Sequence, residues 1–276
     1  QDKLLQGTFR LMREKLFGQH GYGLDSLGSE ESLDQLSAEE LSVFHHRLTV
    51  PNNSVLSIFG DVDTESIRAE VERTFGLWPA GNEFRLPKFL PESEGMRRAA
   101  NVREKEQAVA VLGYLGCTFF DEDRYALELL SEACSDLGSR LFMRIREELG
   151  LAYYVGAQSQ PGLTPGYFAF YAGTSPGQLG TVEKELLEEA GKLRQDGLTD
   201  EELARAKAKV IGQRKISRQD VGGLATTIGL DELYGLGYAA GDAEDEKYES
   251  VTARQVQQIA QKYLRPSQCV MAVTHP

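Results

Sequence analysis

Histidine, cysteine and tryptophan are scarce in this 276-residue chain, at four, three and one, and positive charge is in deficit, with Lys+Arg 30 against Asp+Glu 42 and a net charge of -12. That balance excludes a phosphate-tracking surface, so nucleic acid is not an expected partner. No long hydrophobic run exists either. The longest nearly uncharged apolar stretch, Ala108 to Phe120, is too short for a membrane-spanning helix and is interrupted by Gly113 and Gly116. Cys117, Cys134 and Cys269 are odd in number, far apart and without C-x-x-C spacing. They are expected as buried free thiols, which leans towards a reducing compartment; one disulfide plus a spare thiol is the alternative. The histidines, His20, His45, His46 and His275, form neither H-E-x-x-H nor H-x-x-E-H. His45 and His46 are adjacent, about 100° apart on a helix, and cannot chelate one ion together. Gly-x-Ser-x-Gly is absent, and Ser139 has no base visible in the sequence. The opening Gln1-Asp2-Lys3 has neither an initiator Met nor a signal-type apolar region and reads as cut from a longer polypeptide.

What is present suits a globular protein of about two domains: 41% hydrophobic residues, 28 Gly and only 9 Pro. Apolar residues at helical spacing predict an amphipathic helix over Asp2 to Phe17, ended by Gly18. Ser37 to Glu40 is a capping box opening a helix to Leu48, and Pro51 to Ser54 is a turn. Val55 to Phe59 reads as a strand, Thr64 to Phe75 as a helix, and 79–105 as a Pro- and Gly-punctuated linker. Beyond it come a strand (Ala108 to Leu115), a helical region (Asp123 to Leu149) broken near Gly138, and strands over Ala152 to Gln158 and Tyr167 to Ala172. Helices over Leu179 to Arg194, after Thr199 and over Val221 to Tyr234 precede a last helix and strand. Gly235-x-Gly237-x-x-x-Gly241 follows a helix and is one residue too long for a dinucleotide fingerprint. Asp61 and Asp63 are better explained by an N-cap than by a cation, and Asp242 to Glu246 by a solvated loop.

The chain also repeats itself. Ser37, Pro51 and Val55 match Thr252, Pro266 and Val270, each pair 215 positions apart, and Leu16-Phe17-Gly18 matches Leu233-Tyr234-Gly235 with a two-residue slip. The second copy starts near Ala108, so the corresponding start of the first falls roughly a hundred residues before Gln1.

Between Gly138 and Val155 a helix ends at Gly150 and feeds a strand. Arg146 in its last turn and Tyr153 at the strand's start stand at one sheet edge, where guanidinium and phenol can donate to the carbonyls of an extended peptide. The competing reading has Arg146 stabilising the helix end and pairing with a nearby Glu, and Tyr153 as a buried ring.

The stretch Ser139-Arg-Leu-Phe to Arg146-Glu-Glu-Leu-Gly-Leu-Ala-Tyr153 resembles the C-terminal module of the pitrilysin/insulinase family of zinc metallopeptidases, which includes the mitochondrial processing peptidase. Gly18-Gln-His20-Gly-Tyr-Gly23, Gly28-Ser-Glu-Glu-Ser-Leu33, Pro51-Asn-Asn53 and Gly60-Asp-Val-Asp63 resemble the end of its first module. The resemblance implies an α+β fold of duplicated two-layer α/β sandwich modules of the mitochondrial-processing-peptidase-like metallohydrolase type. Residues 1–80 would close a first module, 81–105 would link, and 106–276 would form a complete second module that binds no metal. It implies Zn²⁺ only in a complementary active module, carrying H-x-x-E-H, in the same polypeptide or in a separate subunit of a homo- or heterodimer. Arg146 and Tyr153, seven apart, would bind the substrate backbone and help polarise the scissile carbonyl. The peptide would add as a strand beside Ala152 to Gln158, and this chain alone would be inactive. Two alternatives stand beside this: a non-catalytic structural subunit, as in respiratory complexes, and a peptide-binding module acting alone. Bacterial cytoplasm and periplasm both fit.

Overall fold

The computed structural model describes residues 2–18, 21–86 and 95–276. His20 and positions 87–94 of the expected linker lie outside the described residues. The chain divides into two compact units, Gln1–Ser26 with Lys88–Ile211 and Glu246–Pro276, and Leu27–Pro87 with Gly212–Asp245.

Five strands make the sheet of the first unit: β1 (Arg97–Val102), β2 (Ala108–Leu115), β3 (Ala152–Gln160), β4 (Tyr167–Thr174) and β5 (Cys269–His275), in the order β1-β5-β2-β4-β3. Only β1 and β5 run parallel. The central strands alternate between two apolar faces, as period-2 geometry requires. Ala110, Leu112 and Tyr114 of β2 and Met271 and Val273 of β5 face one core, while Val109, Val111, Val270 and Ala272 face another. The first core is built with α5 (Asp123–Ala133), α6 (Leu179–Asp196), the N-terminal turns of α7 (Asp200–Ser217) and α10 (Ala253–Tyr263), with α9 (Glu244–Ser250) adding Tyr248. The second is covered by one helix, α1 (Asp2–Phe17), through Phe9, Met12, Leu16 and Phe17. Gly113 is glycine because α1 comes so close: a Cβ there would stand 2.3 Å from Met12 Sδ. All three cysteines are buried free thiols, and burial pushes Cys134 up to about 12 and Cys269 to about 11, leaving them unreactive.

The second unit holds α2 (Glu30–Asp34), α3 (Ala38–Leu48), α4 (Thr64–Phe75), the end of α7, and α8 (Val221–Leu233). The Asn52 and Asn53 side-chain amides pair with backbone as a strand would. Asn52 exchanges two hydrogen bonds of 2.9 Å with Gly81, and Asn53 Oδ1 accepts from Phe84 N at 2.9 Å. Helix α8 lies against residue 57: a Cβ at Gly229 would be 3.3 Å from that of Ser57.

Helices α1 and α4 and strand β2 occupy the spans their patterns predict, and β3 and β4 each run two residues further. Two segments differ. Val55 to Phe59, patterned as a strand, is in no regular element and has no ladder partner among the described residues. Arg97–Val102, inside the expected linker, is a strand despite its charges and alanines, because β5 supplies parallel partners along its whole length. The division into units also runs across the expected boundaries at 80 and 105.

Candidate functional site

The site is built where the chain turns from helix to edge strand. Ser139 is fully buried and its Oγ accepts from Phe142 N at 3.2 Å, which makes it a cap and explains a serine with no base beside it. The turn it opens, Phe142–Glu148, is π-helical, and Leu149 N donates to Arg144 O at 3.2 Å across five residues. Gly150 then adopts φ +61°, and Leu151 N closes back on Ile145 O at 2.9 Å. One residue later β3 begins, with a register irregularity between Ala152 and Tyr154 that sets Tyr153 outside the regular ladder.

Arg146 and Tyr153 are both exposed. The Arg146 guanidinium lies 4.9 Å from the centre of the Phe142 ring and makes no ion pair among the described residues. Its neighbour Arg144 takes the carboxylates instead, Glu148 at 3.1 Å and the buried Glu185 of α6 at 3.2 Å. Those two carboxylates hold the Arg144 guanidinium above its ordinary pKa. Tyr153 is 51% exposed, so it is not the buried ring of the competing reading. The arrangement offers up to five guanidinium donors and one phenolic donor beside an edge strand.

The edge is shorter than the sequence suggests. Ser135 Oγ donates to Ala157 O at 2.7 Å and accepts from Ala157 N at 3.0 Å, which closes β3 at that residue. Alternation leaves Val155 and the irregular Tyr153 region as the part open to an added strand. Sequence reasoning missed Ser135 and Arg144, whose partners lie 22 and 41 positions away.

Among the described residues no three His, Cys, Asp or Glu side chains come together as a metal site would need. His45 and His46 stand edge to face on α3, with His46 Nδ1 2.7 Å from Ser42 O. No helix among the described residues is long and apolar enough to cross a membrane.

A family model of the peptidase M16 inactive domain matches residues 35–210. An uncharacterized zinc protease of Streptomyces coelicolor is 30% identical over 270 residues, covering 95% of this chain and 59% of that protein. An uncharacterized zinc protease of Bacillus subtilis is 30% identical over 225 residues, covering 81% of this chain and 54% of its own length. The crystal structure of a peptidase M16 inactive domain from Pseudomonas fluorescens superposes with a TM-score of 0.87 at 21% identity, over 100% of this chain and 69% of that one. The chain thus spans little more than half the length of the curated relatives it matches.

Proposed function

Because the chain belongs to the peptidase M16 family, as an inactive domain of it, we propose that it is the substrate-holding, metal-free part of a zinc metalloendopeptidase. Its work is to bind peptide backbone. An extended peptide adds beside β3 over Tyr153 to Val155, exchanging main-chain hydrogen bonds that are indifferent to side-chain identity. Arg146 and Tyr153 donate to the carbonyls of that peptide and fix its path past the helix end. Hydrolysis belongs to a complementary zinc-bearing module, in the same polypeptide or a partner subunit. The net charge of -12 biases approach towards basic segments at long range.

The observation that carries this reading is an arginine with no ion pair among the described residues and a half-exposed tyrosine, seven positions apart, at the open end of an edge strand. The test is made on the intact protease or the assembled pair. Arg146→Ala and Tyr153→Phe each remove a hydrogen bond to substrate, and each is expected to lower kcat/KM for an unfolded peptide by about 10- to 100-fold. Unaltered cleavage by both variants would end the clamp assignment and leave a structural role.

A further inference from the structure

On the α1 face of the sheet, β3 and β4 set tyrosine against glycine. Tyr154 stands opposite Gly173 and Tyr171 opposite Gly156, two neighbouring cross-strand pairs with the ring on alternate strands. Each ring lies across the glycine it faces: a Cβ at Gly156 would stand 2.7 Å from the Tyr171 hydroxyl oxygen, and one at Gly173 would collide with the Tyr154 ring. Tyr171 thus leans outward over β3 and Tyr154 inward over β4. Their ring centres are 6.4 Å apart, and Phe9 of α1 backs Tyr171 at 5.7 Å. Both tyrosines are half-buried at the border of the second core. Burial raises the Tyr171 phenol above its ordinary pKa, so this aromatic row ends in a neutral hydroxyl at pH 7.

The row borders the edge taken by the peptide of the proposed function, on which this inference rests. Ala157 directs its N–H and C=O outward to Ser135, so alternation directs those of Val155 outward as well. A peptide bonded to Val155 puts its neighbouring residues opposite Tyr154 and Gly156, with their side chains on the α1 face. Opposite Gly156 no β3 side chain meets the incoming one. The nearest surface is the Tyr171 ring, which comes from one strand further in. Directly facing side chains pair with Cβ atoms about 5 Å apart, and reaches beyond that belong to rings and long side chains. A short side chain therefore falls short of Tyr171, whereas an aromatic one continues the tilted row that runs from Phe9 through Tyr171. We propose that Tyr171, with Tyr154 beside it, is a specificity-determining shelf that selects an aromatic side chain in the peptide residue opposite Gly156.

The test uses the intact protease or the assembled pair, and a set of unfolded peptides in which Phe, Leu, Arg or Ala is placed at each position of one otherwise constant sequence. At one position Phe is expected to exceed Ala in kcat/KM by about 10-fold, with Leu and Arg between them. Tyr171→Leu and, independently, Gly156→Ala, whose methyl displaces the Tyr171 ring, are each expected to cut that ratio to about 2, and Tyr171→Phe to keep it. The ratio cancels any loss common to both peptides, including one from a disturbed fold. No position that prefers Phe, a Phe-to-Ala ratio that neither Tyr171→Leu nor Gly156→Ala moves, or a preference for Arg over Phe that these variants abolish would each overturn the shelf. Arg146→Ala lowers cleavage of both peptides alike and leaves their ratio standing, so the clamp and the shelf fail separately.

Discussion

At the scale of single residues, the candidate site depends on one backbone conformation. Gly150 sits at φ +61° between the π-turn that carries Arg146 and the strand that carries Tyr153, and nothing lies within 4 Å of the position a Cβ would take. Its cost on substitution is therefore conformational rather than steric. Gly150→Ala is expected to lower stability by about 1 kcal/mol, measured by urea denaturation, and Gly150→Asn, which tolerates the left-handed region, by less. Equal stability of all three proteins would show that the turn relaxes without loss. Arg144 acts beside it by tying the π-turn to the buried Glu185 of α6, while the Arg146 guanidinium lies over the Phe142 ring.

At the scale of elements, the start of the π-turn is tied to α7 by a two-pronged ion pair, Arg140 Nε to Glu202 Oε1 at 2.9 Å and the second nitrogen to Oε2 at 2.7 Å. Glu202 also accepts from Thr199 N in the capping box that opens α7. Burial pushes its carboxyl up, but the bonds from Arg140 and Thr199 outweigh burial and hold it below the ordinary value of 4.5. A carboxyl depressed by folding stabilises the folded state above its unfolded pKa, and that contribution fades as pH falls through the lower folded value. Glu202→Gln should thus cost about 1 to 3 kcal/mol at pH 7, and the gap in Tm between the two proteins should narrow from pH 5 towards pH 3. A gap independent of pH would refute the coupling. Local signals of this kind were legible: Ser37, Thr199 and Thr252 announce their helices by caps that need only neighbouring residues. What was not legible depends on partners far along the chain. The pattern of Val55 to Phe59 specifies a strand but cannot supply its neighbours, and Arg97–Val102 is a strand only because β5 lies beside it. The π-turn escaped because a helical sequence pattern does not distinguish five-residue closure from four, and Ser135 escaped because closing β3 at Ala157 is a tertiary event.

At the scale of the whole molecule, the repeat and the packing follow different boundaries. Helix α1 precedes the first copy of the repeat but packs on the sheet of the second, while α8 precedes the second copy's capped helix and belongs with the first. Each copy has lent its leading helix to the other. The expected complete module, 106–276, would leave out both α1 and β1 and uncover Val109, Val111, Val270 and Ala272. That fragment is expected to lack a cooperative thermal transition and to aggregate, whereas the full chain melts cooperatively; a soluble, cooperatively folded 106–276 would show that the sheet needs neither. The loan also has a schedule. Thr8 Oγ1 and Thr274 Oγ1 share a buried hydrogen bond of 2.7 Å across 266 positions, so α1 leaves the ribosome tens of seconds, at about 5 to 20 residues per second, before β5, one of the strands it rests on, exists. Through that interval the apolar stripe of Phe9, Met12 and Leu16 can meet only the β2 and β4 part of its core, Val109, Val111, Tyr167 and Ala169, and stays half covered until Val270 and Ala272 emerge, which makes the growing polypeptide a client for holdase chaperones.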